Sequence, residues 1–272
     1  MNLDNIKLLN LEGSDNCRDI GHNITKYGEV KNKKIIRSSQ LSNLSAKDTL
    51  QLKEYGVRIV VDLRGIKERE TAPDKNIESV VNIHIPIFND FRIPVLNDWY
   101  IQQKFSRVQL LEEDLLHQKN RMMKIYRNFV KKQSSIDALK KIFQILVLNS
   151  SEEESVLIHC TMGKDRTGFV IALILSALGV DKDDIINDYL LTNKYLINRI
   201  NSITAKLYNV GVSDSVINYV RKYFLANEEY LEETFKLIDM NYNSMNEFLS
   251  IRLGITDYQQ VALYDNYTKF CT

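Results

Sequence analysis

Val156-Leu157-Ile158-His159-Cys160-Thr161-Met162-Gly163-Lys164-Asp165-Arg166-Thr167-Gly168 is the stretch on which the fold turns. Its opening residues form a short apolar, β-branched run, and Phe169 to Leu178 continue it as a long apolar helix. Between the two lies a glycine-containing turn that carries a cysteine and, six positions on, an arginine. Successive backbone N–H groups on such a turn converge on one point, and the helix N-terminus adds partial positive charge. The arrangement suits a phosphate dianion. The amides of Thr161, Met162, Gly163, Lys164, Asp165 and Arg166 can hold its non-bridging oxygens, while the Arg166 guanidinium presents a planar fork to two of them. The same field favours Cys160 as a thiolate, the nucleophilic form. A free cysteine is more often just a small buried side chain at a strand end. The arginine, the two glycines and the strand-to-helix setting argue against that here.

Working outward, strands are expected at Lys34 to Arg37, Arg58 to Leu63, Val81 to Pro86 and Ser155 to Cys160. Ser45 with Asp48 reads as a helix N-cap, and Gly56 closes that helix. From about Asn120 the pattern is helical. Met122, Ile125, Tyr126, Phe129 and Val130 make one stripe, and Ile136, Leu139, Phe143, Leu146 and Val147 a second. The helix after Arg166 is apolar all round and should be central; Gly179 ends it and Asp181 starts the next. Short helices follow, with a capping box at Thr256 and Gln259 for the terminal one. The fold class is therefore α/β, a central and mainly parallel sheet flanked by helices, with a helical C-terminal half. Residues 88–120 read as a lid or insertion carrying Phe91, Trp99, Tyr100 and Phe105, with ordinary helical packing as the alternative.

The 272 residues, 44% hydrophobic and 26% charged, fit a single domain over 1–272. A net charge of +1 gives no reason to expect nucleic acid as a partner. No run is long enough for stable membrane insertion, and Met1 to Asn10 lacks a signal-peptide core. Cys17, Cys160 and Cys271 are too scattered for a disulfide framework or a metal site, so a reducing, cytoplasmic setting is expected, with export by another route left open. No metal or cofactor is expected.

The segment His159 to Gly168 resembles the Cys-x5-Arg signature of the protein tyrosine phosphatase superfamily, and Gly-Lys-Asp-Arg-Thr-Gly resembles its bacterial branch of tyrosine and phosphoinositide phosphatases. Other stretches are similar to that branch in the right order: Asn16-Cys17-Arg18-Asp19-Ile20-Gly21, Arg37-Ser38-Ser39-Gln40-Leu41, Val61-Asp62-Leu63-Arg64 with Glu68-Arg69-Glu70, and Leu253-Gly254-Ile255-Thr256. For Arg18 and Asp19 a mutual pairing across a turn is the alternative to a site role.

The resemblance implies hydrolysis of phosphomonoesters on phosphotyrosine, phosphoserine or phosphothreonine proteins and on phosphoinositides. Cys160 would attack phosphorus to form a cysteinyl-phosphate, with Arg166 and the loop amides stabilising the transition state. The Thr167 hydroxyl would assist the sulfur as it leaves, and His159 would brace the loop. Trp-Pro-Asp is absent, so the proton donor is open: Asp165 first, then Asp62, then Asp98 or Asp90. Asp62 and Arg64, just past a strand end, border the pocket or brace the loop. Lys164 either pairs with Asp165 or meets a second phosphate on the substrate. A rhodanese- or arsenate-reductase-like thiol enzyme and a non-catalytic phosphate-binding module are the competing classes.

Overall fold

The computed structural model describes residues 8–26, 28–88 and 109–270, with side chains excluded over 109–118. Each expected strand is present within a residue or two of its expected ends: β4 (Ile35–Ser38), β5 (Val57–Asp62), β6 (Val81–His84) and β7 (Ser155–His159). They lie in the order β4-β7-β5-β6, all parallel, and β1 (Arg18–Asp19) adds an antiparallel edge to β4. A second, antiparallel sheet of β2 (Ile24–Thr25), β3 (Gly28–Val30) and β8 (Thr268–Phe270) was not legible. Strands of two or three residues are too short to show an alternation.

Period-2 geometry divides the central sheet between two cores. Ile35, Val61, Val156 and Ile158 face the larger core, built with helices α3 (Gln109–Lys131), α4 (Gln133–Leu148) and α5 (Asp165–Ala177). Ile36, Val60 and Leu157 face a smaller one with Leu52 of α1 (Ala46–Tyr55). The capping box expected at Ser45 and Asp48 closes α1 at one end, and Gly56, at φ +107°, closes it at the other. Both faces of the sheet are thus covered, which explains why its strands read as continuous apolar runs.

The helix α5 is buried along nearly its whole length, as its sequence implied. Gly168 matters here: a Cβ on it would come 2.7 Å from the Tyr189 ring of α6 (Lys182–Tyr195), so glycine lets the two helices approach. The next residue, Phe169, stacks on Phe129 of α3 at 4.9 Å, and Phe129 stacks in turn on Phe88 at 5.3 Å. The chain continues through α7 (Ile197–Asn209), α8 (Asp214–Phe224) and α9 (Glu228–Tyr242). A π-helical turn at Phe248–Arg252 precedes α10 (Asp257–Tyr267), which opens on the expected Thr256–Gln259 box.

Two sequence readings need correction. Arg18 does not pair with Asp19. The Asp19 carboxylate accepts from the Gly21 and Lys33 N–H groups and from the Tyr55 hydroxyl, while Arg18 reaches across to Asp188. The long helix begins at Gln109 rather than near Asn120; Leu110, Leu111, Leu115 and Leu116 already carry a helical apolar period that the reading from Asn120 left out. Asp90, Phe91, Asp98, Trp99, Tyr100, Phe105 and Cys271 lie outside the described residues.

The strand ends finish in register. Ser38 pairs with His159, His159 with Asp62, and Asp62 with His84, so one carboxyl edge of the sheet is level. Ligand clefts of open α/β sheets form beyond that edge. Phe129→Ala should remove the middle of the aromatic stack and cost about 3–5 kcal/mol, read as a lower urea midpoint with an unchanged m-value.

Candidate active site

β7 delivers Cys160 at this level edge, and α5 begins at Asp165, leaving residues 160–164 as the loop. The carbonyls of Cys160, Thr161 and Gly163 face outward, where the framework supplies donors. His159 Nδ1 lies 3.2 Å from the Cys160 oxygen, and the Gln40 N–H donates to the Thr161 oxygen at 3.2 Å. The Gly163 oxygen accepts from Asn16 Nδ2 and from Arg37 Nη2, both at 2.9 Å. In a trans peptide the N–H points opposite the carbonyl. The N–H groups of Thr161, Met162 and Lys164 are therefore turned away from the framework, toward the hollow of the loop. Gly163 adopts φ +61°, and a Cβ there would sit 2.4 Å from the Ser38 oxygen. Glycine is required on both counts.

Arg166 is wholly buried, and its partner is a residue that the sequence marked only within a family-like charged segment, without a role. Glu68, in the helix α2 (Ile66–Thr71), receives Arg166 Nη1 on Oε2 at 2.6 Å and Nη2 on Oε1 at 2.8 Å. It also accepts the Thr161 hydroxyl at 2.5 Å and the Gly65 N–H at 2.9 Å. Burial pushes the Glu68 pKa up, but these bonds and the Arg166 charge outweigh it and hold the carboxyl below its usual range. Such a two-point clamp fixes the guanidinium plane at the loop's edge. Glu68 stands in the charged segment Glu68-Arg69-Glu70; nothing in one dimension distinguishes it from Glu70.

Behind the cysteine sits a second charged cluster. Asp62 grips Arg64 at 2.9 Å and 2.8 Å, and Arg64 also contacts Asp74 at 2.8 Å. His159 Nε2 lies 3.1 Å from Asp74 Oδ2 and 3.8 Å from Asp62 Oδ1. Desolvation raises the Asp62 pKa, but the Arg64 hydrogen bonds and the His159 charge lower it further, below the ordinary value. That environment fits Asp62 as a brace holding a negative charge. Asp62, Asp74 and His159 are close enough to ligate a metal together. The Arg64 guanidinium already meets both carboxylates as their cation.

The remaining loop residues divide their attention. Met162 turns out of the loop into a satellite core with Leu196, Ile200, Val216 and Phe224, at the base of α7 and α8. Lys164 donates to the Tyr223 and Leu225 carbonyls at 2.8 and 3.3 Å, at the end of α8, and lies 3.6 Å from Asp165 Oδ1. The same Asp165 oxygen accepts the Tyr126 hydroxyl at 2.9 Å, and Tyr126 is 2.7 Å from Tyr189. Thr167 Oγ1 is buried without a hydrogen-bond partner among the described residues. Cys17 is two strands away from β7, beyond β4. At about 4.8 Å per strand spacing it is out of disulfide reach of Cys160.

Residues 9–269 match the tyrosine phosphatase family. The chain is 26% identical over 262 residues to the triple-specificity protein phosphatase PtpB of Mycobacterium tuberculosis, covering 88% of this chain and 91% of that one. It is 26% identical over 241 residues to a Cupriavidus necator protein provisionally named a tyrosine-protein phosphatase, covering 88% and 82%. A tyrosine-protein phosphatase of Nostoc commune is 26% identical over 167 residues, covering 59% and 49%.

Glu68, Asp62 and Asp188 all have folded-state pKa values below their ordinary ones. The unfolded chain then binds more protons, so stability rises with pH through the carboxylate range. The contribution is complete above about pH 5 and lost progressively as the pH falls through about 4 and below. Glu68→Gln should flatten part of that fall, measured by urea unfolding at a series of pH values from neutral to acid.

Proposed function

The chain belongs to the tyrosine phosphatase family, and from that premise we propose that it hydrolyses phosphomonoesters through a cysteinyl-phosphate on Cys160. The observation that carries this reading is the loop itself: outward carbonyls, inward N–H groups, and Arg166 clamped at its edge by Glu68. In the first step the Cys160 thiolate forms a bond to phosphorus as the phosphorus–oxygen bond to the leaving group breaks, with the equatorial oxygens held by the amides and Arg166. In the second, water displaces the sulfur and inorganic phosphate leaves. The unpartnered Thr167 hydroxyl is free to donate to the departing thiolate. An orphaned buried hydroxyl costs about 1–3 kcal/mol, so a role at this step gives the cost a purpose.

Asp165 is our choice of proton donor to the leaving oxygen. It opens α5 beside Arg166, and Tyr126 fixes its Oδ1, which sets the orientation of the carboxyl. The role of Asp62 is to hold Arg64 and support His159 behind the cysteine. Phosphoproteins are the proposed substrates. Phosphoinositides are a second class, favoured by Lys164, whose ammonium could meet a further phosphate. In the structure that ammonium holds the end of α8, so a second phosphate would compete with the Tyr223 and Leu225 carbonyls.

Wild-type enzyme should turn over a phosphotyrosine peptide in EDTA, and Cys160→Ser should abolish it. Turnover that survives Cys160→Ser would sink the thiolate mechanism. On short-chain phosphatidylinositol phosphates, Lys164→Ala should lower the ratio of lipid to peptide activity by about tenfold, the loss of one charge-assisted contact. An unchanged ratio would remove the lipid reading.

A further inference from the structure

We propose that Asn16, Arg37 and Asp188 are positioning residues that set the Gly163–Lys164 peptide, so that its N–H faces the phosphate. The inference rests on the phosphatase reading of the loop. Both acceptor positions of the Gly163 oxygen are taken, one by the Asn16 amide and one by the Arg37 guanidinium, each at 2.9 Å. A carbonyl held by two donors from different elements cannot rotate without losing both. Its peptide N–H, on Lys164, is fixed by the same bonds.

The two donors are themselves held from the far side. Arg37 Nη1 donates to Asp188 Oδ2 at 2.5 Å, and its Nη2 reaches Thr192 Oγ1 at 3.3 Å, both on α6. Arg18 donates from Nε to Asp188 Oδ1 at 3.3 Å and from Nη2 to the Asp188 carbonyl at 2.7 Å, and a further short bond from its Nη1 holds the Asn16 oxygen. That last bond settles the Asn16 amide: with Oδ1 on the arginine, Nδ2 must face Gly163. The backbone of Asn16 adopts φ +57°, the left-handed region that asparagine tolerates better than most residues. Ser14, Ser38 and Ser39 tie this turn to β4 by hydroxyl contacts of 2.9 to 3.0 Å. Two guanidiniums share the Asp188 carboxylate, so the brace also brings positive charge to the back of an anion loop. Burial and the neighbouring Arg37 charge lower the Arg18 pKa to about 10, as expected for cations crowded on one carboxylate.

The test uses Asn16→Gly, which removes the amide without straining the left-handed backbone, and Arg37→Lys, which keeps the charge but loses the second donor. Each is compared with wild type for tungstate affinity, for kcat and KM on p-nitrophenyl phosphate, and for thermal midpoint. We expect tungstate binding and kcat to weaken about tenfold, the usual scale for outer partners that orient a ligand-binding group. The loss should persist well below the thermal midpoint. Lower midpoints with unchanged tungstate affinity and kcat would show a merely structural brace and overturn the proposal. Should Arg37→Lys fail to fold, Asn16→Gly decides alone. Failure of the phosphatase reading looks different: wild type would bind no tungstate, or Cys160→Ser would remain active.

Discussion

A loop whose amides point inward must have its carbonyls answered from outside; here the Gln40 N–H, the Asn16 amide and the Arg37 guanidinium do so, and three more buried arginines pack around them. Arg18, Arg37, Arg64 and Arg166 are all fully buried, gathered about residues 159 to 166. An uncompensated guanidinium in that position would cost several kcal/mol. Each is therefore matched to a carboxylate, and those carboxylates come from different parts of the chain: Asp188 on α6, Asp62 at the end of β5, Asp74 after α2, and Glu68 within α2. Satisfying the charges locks α2 and α6 against the loop. The helix packing follows suit, with Gly168 allowing Tyr189 to close on α5.

This arrangement separates support from chemistry. Arg166 is restrained through Glu68 at the loop's edge, while the Gly163 peptide is restrained from behind through Arg37 and Asn16. The two restraints act three residues apart, one at the end of the loop and one at the start of α5, and share no side chain. Lys164 and Asp165, between them, are tied to the helical half instead, to α8 and to Tyr126 of α3. The loop is thus rigid where it would hold an anion and joined to the outer helices where it would meet the rest of a substrate.

Much of this was legible in one dimension. The strand, turn and helix around Cys160, the caps of α1 and α10, and the apolar stripes of Tyr126, Phe129 and Phe143 are local patterns, because hydrogen-bond geometry and side-chain period act over a few residues. The nucleophile, the arginine and the amide turn lie within one such pattern. Asn16, Arg18 and Arg37 stood out in the sequence, though without their roles.

The partners of those arginines came only from the tertiary structure. Glu68 and Asp188 sit in ordinary charged helical segments, and their burial follows from the register that levels Ser38, His159, Asp62 and His84 at one edge of the sheet. Lys164 shows the same limit: its neighbour Asp165 was visible, but its strongest contacts are carbonyls some 60 residues away. Local sequence determines which groups can carry charge and which way a short segment turns. Which opposite charge ends beside them is decided by the packing of distant elements, since the cost of burying an ion depends on its neighbours in space.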